Sequence, residues 1–265
     1  MMKSISNKVI WITGASSGIG EALAYALSEM GNTLLLSARD EKNLLRVRNQ
    51  CANPTNVFLL PLDLKDTDQM PKKVSKALEF TTDIDILINN AGISQRSLIA
   101  ETDFEVYKEL MEVNYLGTLA LTMALLPHFI SRQKGHFVTV TSLMGRFGSP
   151  LRSGYCGAKH ALHGFFDVLR MEHEKDGIQV SLICPGFVRT RIAYNALTAD
   201  GHPQGINDHA TSKGIPPEKF AKKMIHAVAK GKYEVYIGGK EVFGIYLKRF
   251  LPSVLHKVVL RSEVV

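Results

Sequence analysis

Apolar residues fall along the chain in short, nearly unbroken runs rich in Val, Ile and Leu. They lie at Val9–Thr13, Thr33–Ser37, 57–62, 84–89, 135–142, 179–184 and Glu234–Ile237. Runs without polar alternation predict strands covered on both faces, as in a parallel sheet. Between them lie longer stretches with helical spacing, such as 19–30, Glu41–Gln50, 104–130 and 154–175. This alternation predicts βαβ units with right-handed crossovers. The expected fold is α/β: one doubly wound parallel sheet of about seven strands with helices on both faces. Residues 191–217 break the rhythm, with Gly201, Pro203, Gly205, Gly214, Pro216 and Pro217 among polar positions. A stretch this long without a period is a lid or binding loop, or else a floppy surface insertion.

Composition narrows the class. Hydrophobic residues at 45% and charged residues at 22% exclude a disordered chain. Three cysteines, Cys51, Cys156 and Cys184, form no paired spacing, so a reducing cytosol is the expected compartment. The first apolar run begins too early for a secretory signal, and no unbroken apolar stretch approaches the ~20 residues of a spanning helix.

The charge is informative only when divided. The net charge is +7, yet residues 1–210 carry 21 basic and 21 acidic side chains. Residues 211–265 carry 11 basic against four acidic, which is the whole excess. A nucleic-acid-binding body would spread its basic footprint over the main surface, so no nucleic-acid partner is expected. Within the tail, Leu247, Phe250, Leu251, Val254, Leu255 and Val258 share a helical face, with Lys248, Arg249, His256, Lys257 and Arg261 elsewhere, and Pro252 interrupts or restarts the helix. Such a segment either rests peripherally on an anionic membrane or packs its apolar face on the core or a neighbouring subunit. The expected organisation is a body over 1–240, including the loop 191–217, and a basic amphipathic extension over 241–265.

The first strand runs into Thr13-Gly14-Ala15-Ser16-Ser17-Gly18-Ile19-Gly20 and then a helix. Gly14 supplies a tight turn, Gly18 admits a pyrophosphate close to the backbone, and Gly20 lets helix and strand pack closely. The helix N-terminus offers N–H groups and a positive dipole end to the phosphates. The spacing Thr-Gly-x3-Gly-x-Gly resembles the short-chain dehydrogenase/reductase family in its classical form, a Rossmann fold. Other residues fit that resemblance. The second strand ends Ser37-Ala38-Arg39-Asp40, about 20 residues past the last glycine. The family's acidic position, which would take the ribose 2′-OH of NAD, holds Ala38. Ser37 and Arg39 are expected to bind a 2′-phosphate, so NADP(H) is favoured over NAD(H), with Asp40 capping the next helix. Asp63 and Leu64 close the third strand, where the family meets the adenine, and Asn90, Ala91 and Gly92 close the fourth, where it backs the cofactor. Pro185, Gly186, Val188 and Thr190 match the turn that holds the nicotinamide carboxamide.

Tyr155 and Lys159, four apart on an expected helix, share one face. A phenol of pKa near ~10 is a poor acid–base group at neutral pH, and an adjacent ammonium favours its phenolate. Ser142, 13 residues before Tyr155, ends a strand that opens onto the ligand crevice, where its hydroxyl can orient a carbonyl oxygen. With Asn114, which matches the family residue holding a relay water, these resemble a complete catalytic tetrad. The resemblance also implies that Lys159 bonds the nicotinamide ribose. The expected reaction is NADP(H)-dependent interconversion of a small-molecule carbonyl and an alcohol. Leu143, Met144, Phe147, Phe187 and Ile192 flank the site and suggest an apolar substrate. The segment 152–170 resembles members acting on lipids, retinoids or steroids. A catalytically idle NADP(H)-sensing regulator is the alternative. The resemblance further implies a homodimer or homotetramer. His160 and His163 lack a third ligand nearby in sequence, so no metal is expected.

Overall fold

The computed structural model describes residues 5–262; the outermost ends of the two expected units, 1–4 and 263–265, lie outside the described residues. Seven parallel strands form one sheet in the order β3-β2-β1-β4-β5-β6-β7. They are β1 (Val9–Thr13), β2 (Thr33–Ser37), β3 (Val57–Leu59), β4 (Ile86–Asn89), β5 (Gly135–Val140), β6 (Ile178–Pro185) and β7 (Glu234–Ile237). The order reverses direction between β1 and β4, and the strand ends there open a crevice. The alternating pleat divides each strand between two cores. Ile10 and Ile12 join Leu23 and Leu27 of α1 (Gly18–Ser28), Leu44 and Val47 of α2 (Glu41–Gln50), and Phe220 and Met224 of α8 (Pro217–Ala229). Trp11 on the same strand points the other way. It joins Val74 of α3 (Met70–Thr81), Leu121 and Phe129 of α5 (Gly117–Ser131), and Leu162 and Phe166 of α6 (Ser153–Glu172).

Residues 84–85 and 60–62 fall outside the strands that the hydrophobic runs suggested. The runs mark burial, and Ile84, Leu60 and Leu62 are buried beyond the strand ends, with Leu60 N and Leu62 N still donating to the Leu36 and Ala38 oxygens at 3.0 and 3.1 Å. The expected helix 104–130 is continuous but not uniform. α4 (Phe104–Met111) passes through a π turn at Glu112–Leu116 into α5. At 28 residues this helix is long and apolar enough to cross a membrane by length and composition alone. Here Leu110, Val113, Leu121, Leu125 and Phe129 bury its inner face in the protein.

The loop 191–217 is tied down rather than floppy. Its Leu197 bridges to Gln95, its Ile215 bridges to Val188, and it contains the short α7 (His209–Ser212). The C-terminal segment forms α9 (Phe243–Phe250) and α10 (Pro252–Arg261), with Pro252 starting the second helix as its fixed φ suits. Leu255 packs with Leu143 and Phe147 of the body, joined by Ile245, Leu247 and Val259.

Candidate active site

One cavity of about 1110 Å³ runs along the strand ends from the glycine turn to the C-terminal helices. At one end the wall is backbone. Gly14 and Gly18 have φ of 66° and 59°, a region costly for residues with a Cβ. At Gly20 a Cβ would lie 2.2 Å from the Gly14 oxygen, so the turn closes only around glycine. Ser17 precedes the first turn of α1 and makes no side-chain capping bond. Ser16, Ser17, Gly18 and Ile19 all line the cavity at that helix N-terminus. The donor set and the missing Cβ atoms suit a dinucleotide pyrophosphate.

Asn90 acts on the turn from behind. Its Nδ2 donates to the Thr13 and Gly14 oxygens at 3.0 and 3.2 Å, and the Thr13 hydroxyl accepts from Asn90 N and Ala91 N at 3.0 and 3.1 Å. Asp63 lines the cavity while accepting the Lys65 N–H at 3.0 Å. The Leu64 backbone fits where Gly117 lacks a side chain, since a Cβ there would meet the Leu64 oxygen at 2.2 Å.

The end of β2 corrects one expectation. Ser37 is fully buried, its hydroxyl accepting from Trp11 Nε1 at 2.8 Å and donating to the Leu60 oxygen at 2.6 Å. That hydroxyl locks β1, β2 and β3 together and does not reach out toward a 2′-phosphate. Arg39 differs: it is exposed, lines the cavity and makes no ion pair among the described residues. Asp40 caps α2 through Asn43 N at 3.0 Å, as its place before the helix suggested.

Midway along the cavity Ser142, Tyr155 and Lys159 converge from β5 and α6. Lys159 is buried, donates from Nζ to the Val140 oxygen at 3.0 Å and stands 5.8 Å from the Tyr155 ring centre. Burial pushes its ammonium down to about 8. Burial also lifts the Tyr155 phenol above its ordinary value, opposed by a hydrogen bond with Ser142 and by the charges of Arg96 and Arg152. Arg96 and Arg152 are cations that the Tyr-x3-Lys spacing did not reveal. Ser142 Oγ also accepts the Met144 N–H at 3.1 Å, which orients the hydroxyl.

The π turn explains where Asn114 points. An inserted residue swings its side chain to the segment after β4. There its Oδ1 accepts the Ile93 N–H at 2.9 Å and its Nδ2 donates to the Ile93 oxygen at 3.0 Å. Its side-chain amide is thus engaged with backbone, and Gly92 keeps the space beside it: a Cβ there would lie 2.7 Å from Asn114 Oδ1 and 3.4 Å from Lys159 Nζ.

The far end of the cavity is backed by side chains that sequence reasoning missed, of which Arg96 and Arg152 line it. Gln95 Oε1 accepts the Gly154 N–H at 2.8 Å, holding the first turn of α6 from which Tyr155 projects. Arg96, Arg152 and Asp208 form a buried ion cluster, with side chains 6%, 4% and 1% exposed. Asp208 accepts from Arg96 Nε at 3.1 and 3.2 Å and from Arg152 Nη2 at 3.2 Å. Burial works against its charge, yet Arg96 and then Arg152 hold the Asp208 carboxyl below its ordinary range. Burial, reinforced by the Arg96 charge, brings Arg152 down to about 10. The cluster joins the substrate loop to the β4 exit and to the start of α6. Only the odd density of polar residues near 191–217 could have hinted at it.

On the remaining side, Pro185 pairs with Ile237, and the Gly186 N–H donates to the Ile237 oxygen at 2.9 Å. Glu241 Oε1 accepts the Phe187 N–H at 3.0 Å and occupies the space beside Gly186. Val188 is buried, and the Thr190 methyl lies against Gly18, 3.1 Å from where its Cβ would stand. His160 and His163 part company. His160 pairs with the Cys156 oxygen at 2.8 Å, while His163 lies buried beside Cys184 and Glu234, with donor atoms within 4.8 Å of one another. Arg146 already holds Glu234 with two bonds of 2.6 Å, and burial takes His163 down to about 4 and Cys184 up to about 12.

A seven-stranded doubly wound sheet whose switch point carries a glycine turn, with Ser, Tyr and Lys meeting in the adjoining cavity, defines a nucleotide-dependent oxidoreductase. The chain belongs to the short-chain dehydrogenase/reductase family: the model described as short chain dehydrogenase matches residues 8–200. It is 42% identical over 256 residues to human "Dehydrogenase/reductase SDR family member 7", covering 94% of this chain and 76% of that protein. It is 37% identical to the Drosophila melanogaster "Dehydrogenase/reductase SDR family protein 7-like", covering 98% and 82%. A short-chain dehydrogenase/reductase from Burkholderia phymatum solved with NAD superposes at TM-score 0.82, with 22% identity, covering 100% of this chain and 98% of that one. Another, from Burkholderia cenocepacia with NADP, gives 0.79 at 24% identity, covering 98% and 100%. Those two likenesses are of fold. The protein is accordingly an oxidoreductase that acts on CH–OH groups with a nicotinamide dinucleotide.

Proposed function

We propose that the protein is an NADP(H)-preferring enzyme that interconverts a carbonyl and a secondary or primary alcohol on an apolar, lipid-, retinoid- or steroid-like small molecule. The observation that carries the catalytic part is the meeting of Ser142, Tyr155 and Lys159 beside Gly92 in the cavity that begins at the glycine turn. The bound nicotinamide supplies or accepts the hydride. Tyr155, kept protonated by burial, delivers its proton to the carbonyl oxygen in reduction and takes it back in oxidation. Ser142 orients that oxygen and stabilises the charge developing on it. Lys159 binds the ribose and, with Asn114, recharges the tyrosine. An idle sensor of NADP(H) is disfavoured, because sensing has no need of Tyr155 and Lys159 together.

Residues Gly14, Ser16, Ser17, Gly18, Ile19 and Gly20 hold the pyrophosphate in this reading, and Asp63 and Leu64 flank the adenine. Asn90, Ala91, Gly92, Pro185, Gly186, Val188 and Thr190 back the nicotinamide half. The preference for NADP(H) rests on Arg39, whose exposed guanidinium lines the cavity while the neighbouring carboxylate of Asp40 is engaged in its helix cap. The apolar substrate rests on Leu143, Met144, Phe147, Phe187 and Ile192, all of which line the cavity, together with Leu247 and Leu255. The body, expected over 1–240, carries the chemistry, and the described residues 241–262 close the substrate end. Assembly as a homodimer or homotetramer belongs to the same reading.

NADPH consumption over a panel of apolar aldehydes and ketones tests the assignment. Turnover is expected with the wild type, and Tyr155→Phe is expected to lose it by about 10²–10⁴-fold while still binding NADPH. Retained turnover in Tyr155→Phe overturns the roles given above. Arg39→Asp is expected to shift the NADP/NAD ratio toward NAD; an unchanged ratio overturns the cofactor preference.

A further inference from the structure

The C-terminal helices satisfy only one of their two faces. Leu255 is buried, and Leu247 and Val259 are half-buried against Phe147 and Leu143. Beside them Phe243 68%, Phe250 73%, Leu251 53% and Leu260 64% are exposed, as are Tyr246 and Val254. Exposed apolar side chains in such a contiguous set mark an interaction surface. Phe243 and Val258 are at once exposed and part of the cavity wall, so the cavity reaches the surface at this ridge.

The charges around the ridge are of one sign. Lys240, Lys248, Arg249, Lys257 and Arg261 lie within residues 240–262, and none makes an ion pair among the described residues. The single acid in that range, Glu241, is turned inward to the Phe187 and Gly239 N–H groups at 3.0 and 2.9 Å.

We propose that the outer face of α9 and α10 docks this protein on an anionic lipid bilayer, with the open end of the cavity facing the lipid. Apolar side chains enter the headgroup boundary while the cations meet phosphate. A second copy of the chain fits this face poorly, because an isologous contact would set one cationic ridge against another. An acidic protein would answer the charge but would cap the cavity. The proposal draws on the apolar-substrate reading only for what passes from lipid to cavity; the docking itself is independent of turnover.

Sedimentation of the full chain with phosphatidylcholine vesicles, with or without about 30% phosphatidylglycerol, tests it without substrate. Binding is expected to be at least about tenfold tighter to the anionic vesicles and to weaken as salt rises. Lys248→Glu/Arg249→Glu and Phe250→Ser/Leu260→Ser are each expected to weaken it about tenfold or more, with thermal unfolding unchanged because all four side chains are exposed. Failure of the intact chain to sediment with anionic vesicles at low salt overturns the proposal, as does binding that ignores both double variants. An oligomer that dissociates in Phe250→Ser/Leu260→Ser, with vesicle binding retained, overturns it in favour of a second copy. Because no step reads NADPH, a chain that binds vesicles but reduces no carbonyl separates this inference from the proposed function.

Discussion

At the nucleotide end of the cavity the wall is mostly backbone: Gly14, Gly18 and Gly20 bring main chain close, and Asn90 and Thr13 bolt the turn to β4. At the substrate end the wall is side chain, drawn from segments far apart in sequence. Arg96, Arg152 and Asp208 meet there over separations of 112 and 56 residues. The first design depends on what is missing, a Cβ at each of three positions. The second depends on buried charges whose mutual attraction must offset their desolvation. The two ends therefore fail differently when altered.

Asp208→Ala should give the largest effect, because it leaves guanidinium groups buried without their shared carboxylate. A loss of about 3–5 kcal/mol in urea unfolding is expected, and a loss near zero would show that the substrate end does not rely on the cluster. Gly20→Ala should cost about 1–3 kcal/mol through overpacking, with NADPH affinity falling alongside. If NADPH binding survives unchanged, the turn is not the nucleotide end. Arg96→Met removes one of the cations opposing the burial of Tyr155, so the phenol should rise further. Oxidation needs the phenolate, so its kcat/KM should climb with pH through a limb displaced to higher pH. A limb that stays put or moves down would sever the cluster from the chemistry. Ser37→Ala should be the smallest, about 1–2 kcal/mol of stability from the buried indole N–H left without its acceptor. Its NADP/NAD preference should not change; a drop in NADP affinity would return Ser37 to the nucleotide end.

Much of the nucleotide end is legible in one dimension because its parts are local. A Thr-Gly-x3-Gly-x-Gly turn, the Asn90–Gly92 strand end and the Tyr155–Lys159 spacing each state their geometry within a few residues. Ser37 shows the limit of that reading. Its position at the end of β2 is evident, but the direction of its hydroxyl depends on Trp11, a neighbour only across the sheet. Asn114 is similar: residue type marked it out, whereas the π turn that aims it at Ile93 leaves no local trace. Gln95 and Arg96 carried no signal, since a polar pair after a strand ordinarily faces water.

The charge division of the chain was readable by counting, and so was the amphipathic character of its last residues. What arithmetic left open was which face packs inward. Tertiary structure decided that Leu255 goes to the core while Phe250 and Leu260 stay outside. By itself the sequence determined the α/β alternation, the glycine turn and the Ser-Tyr-Lys set, because strand burial, backbone freedom and helical spacing are short-range properties. Only the fold could decide the Arg96–Asp208–Arg152 cluster, the inward Ser37 and the cations that act on Tyr155. Those depend on which distant side chains share a low-dielectric space, and proximity of that kind is not written in the order of residues.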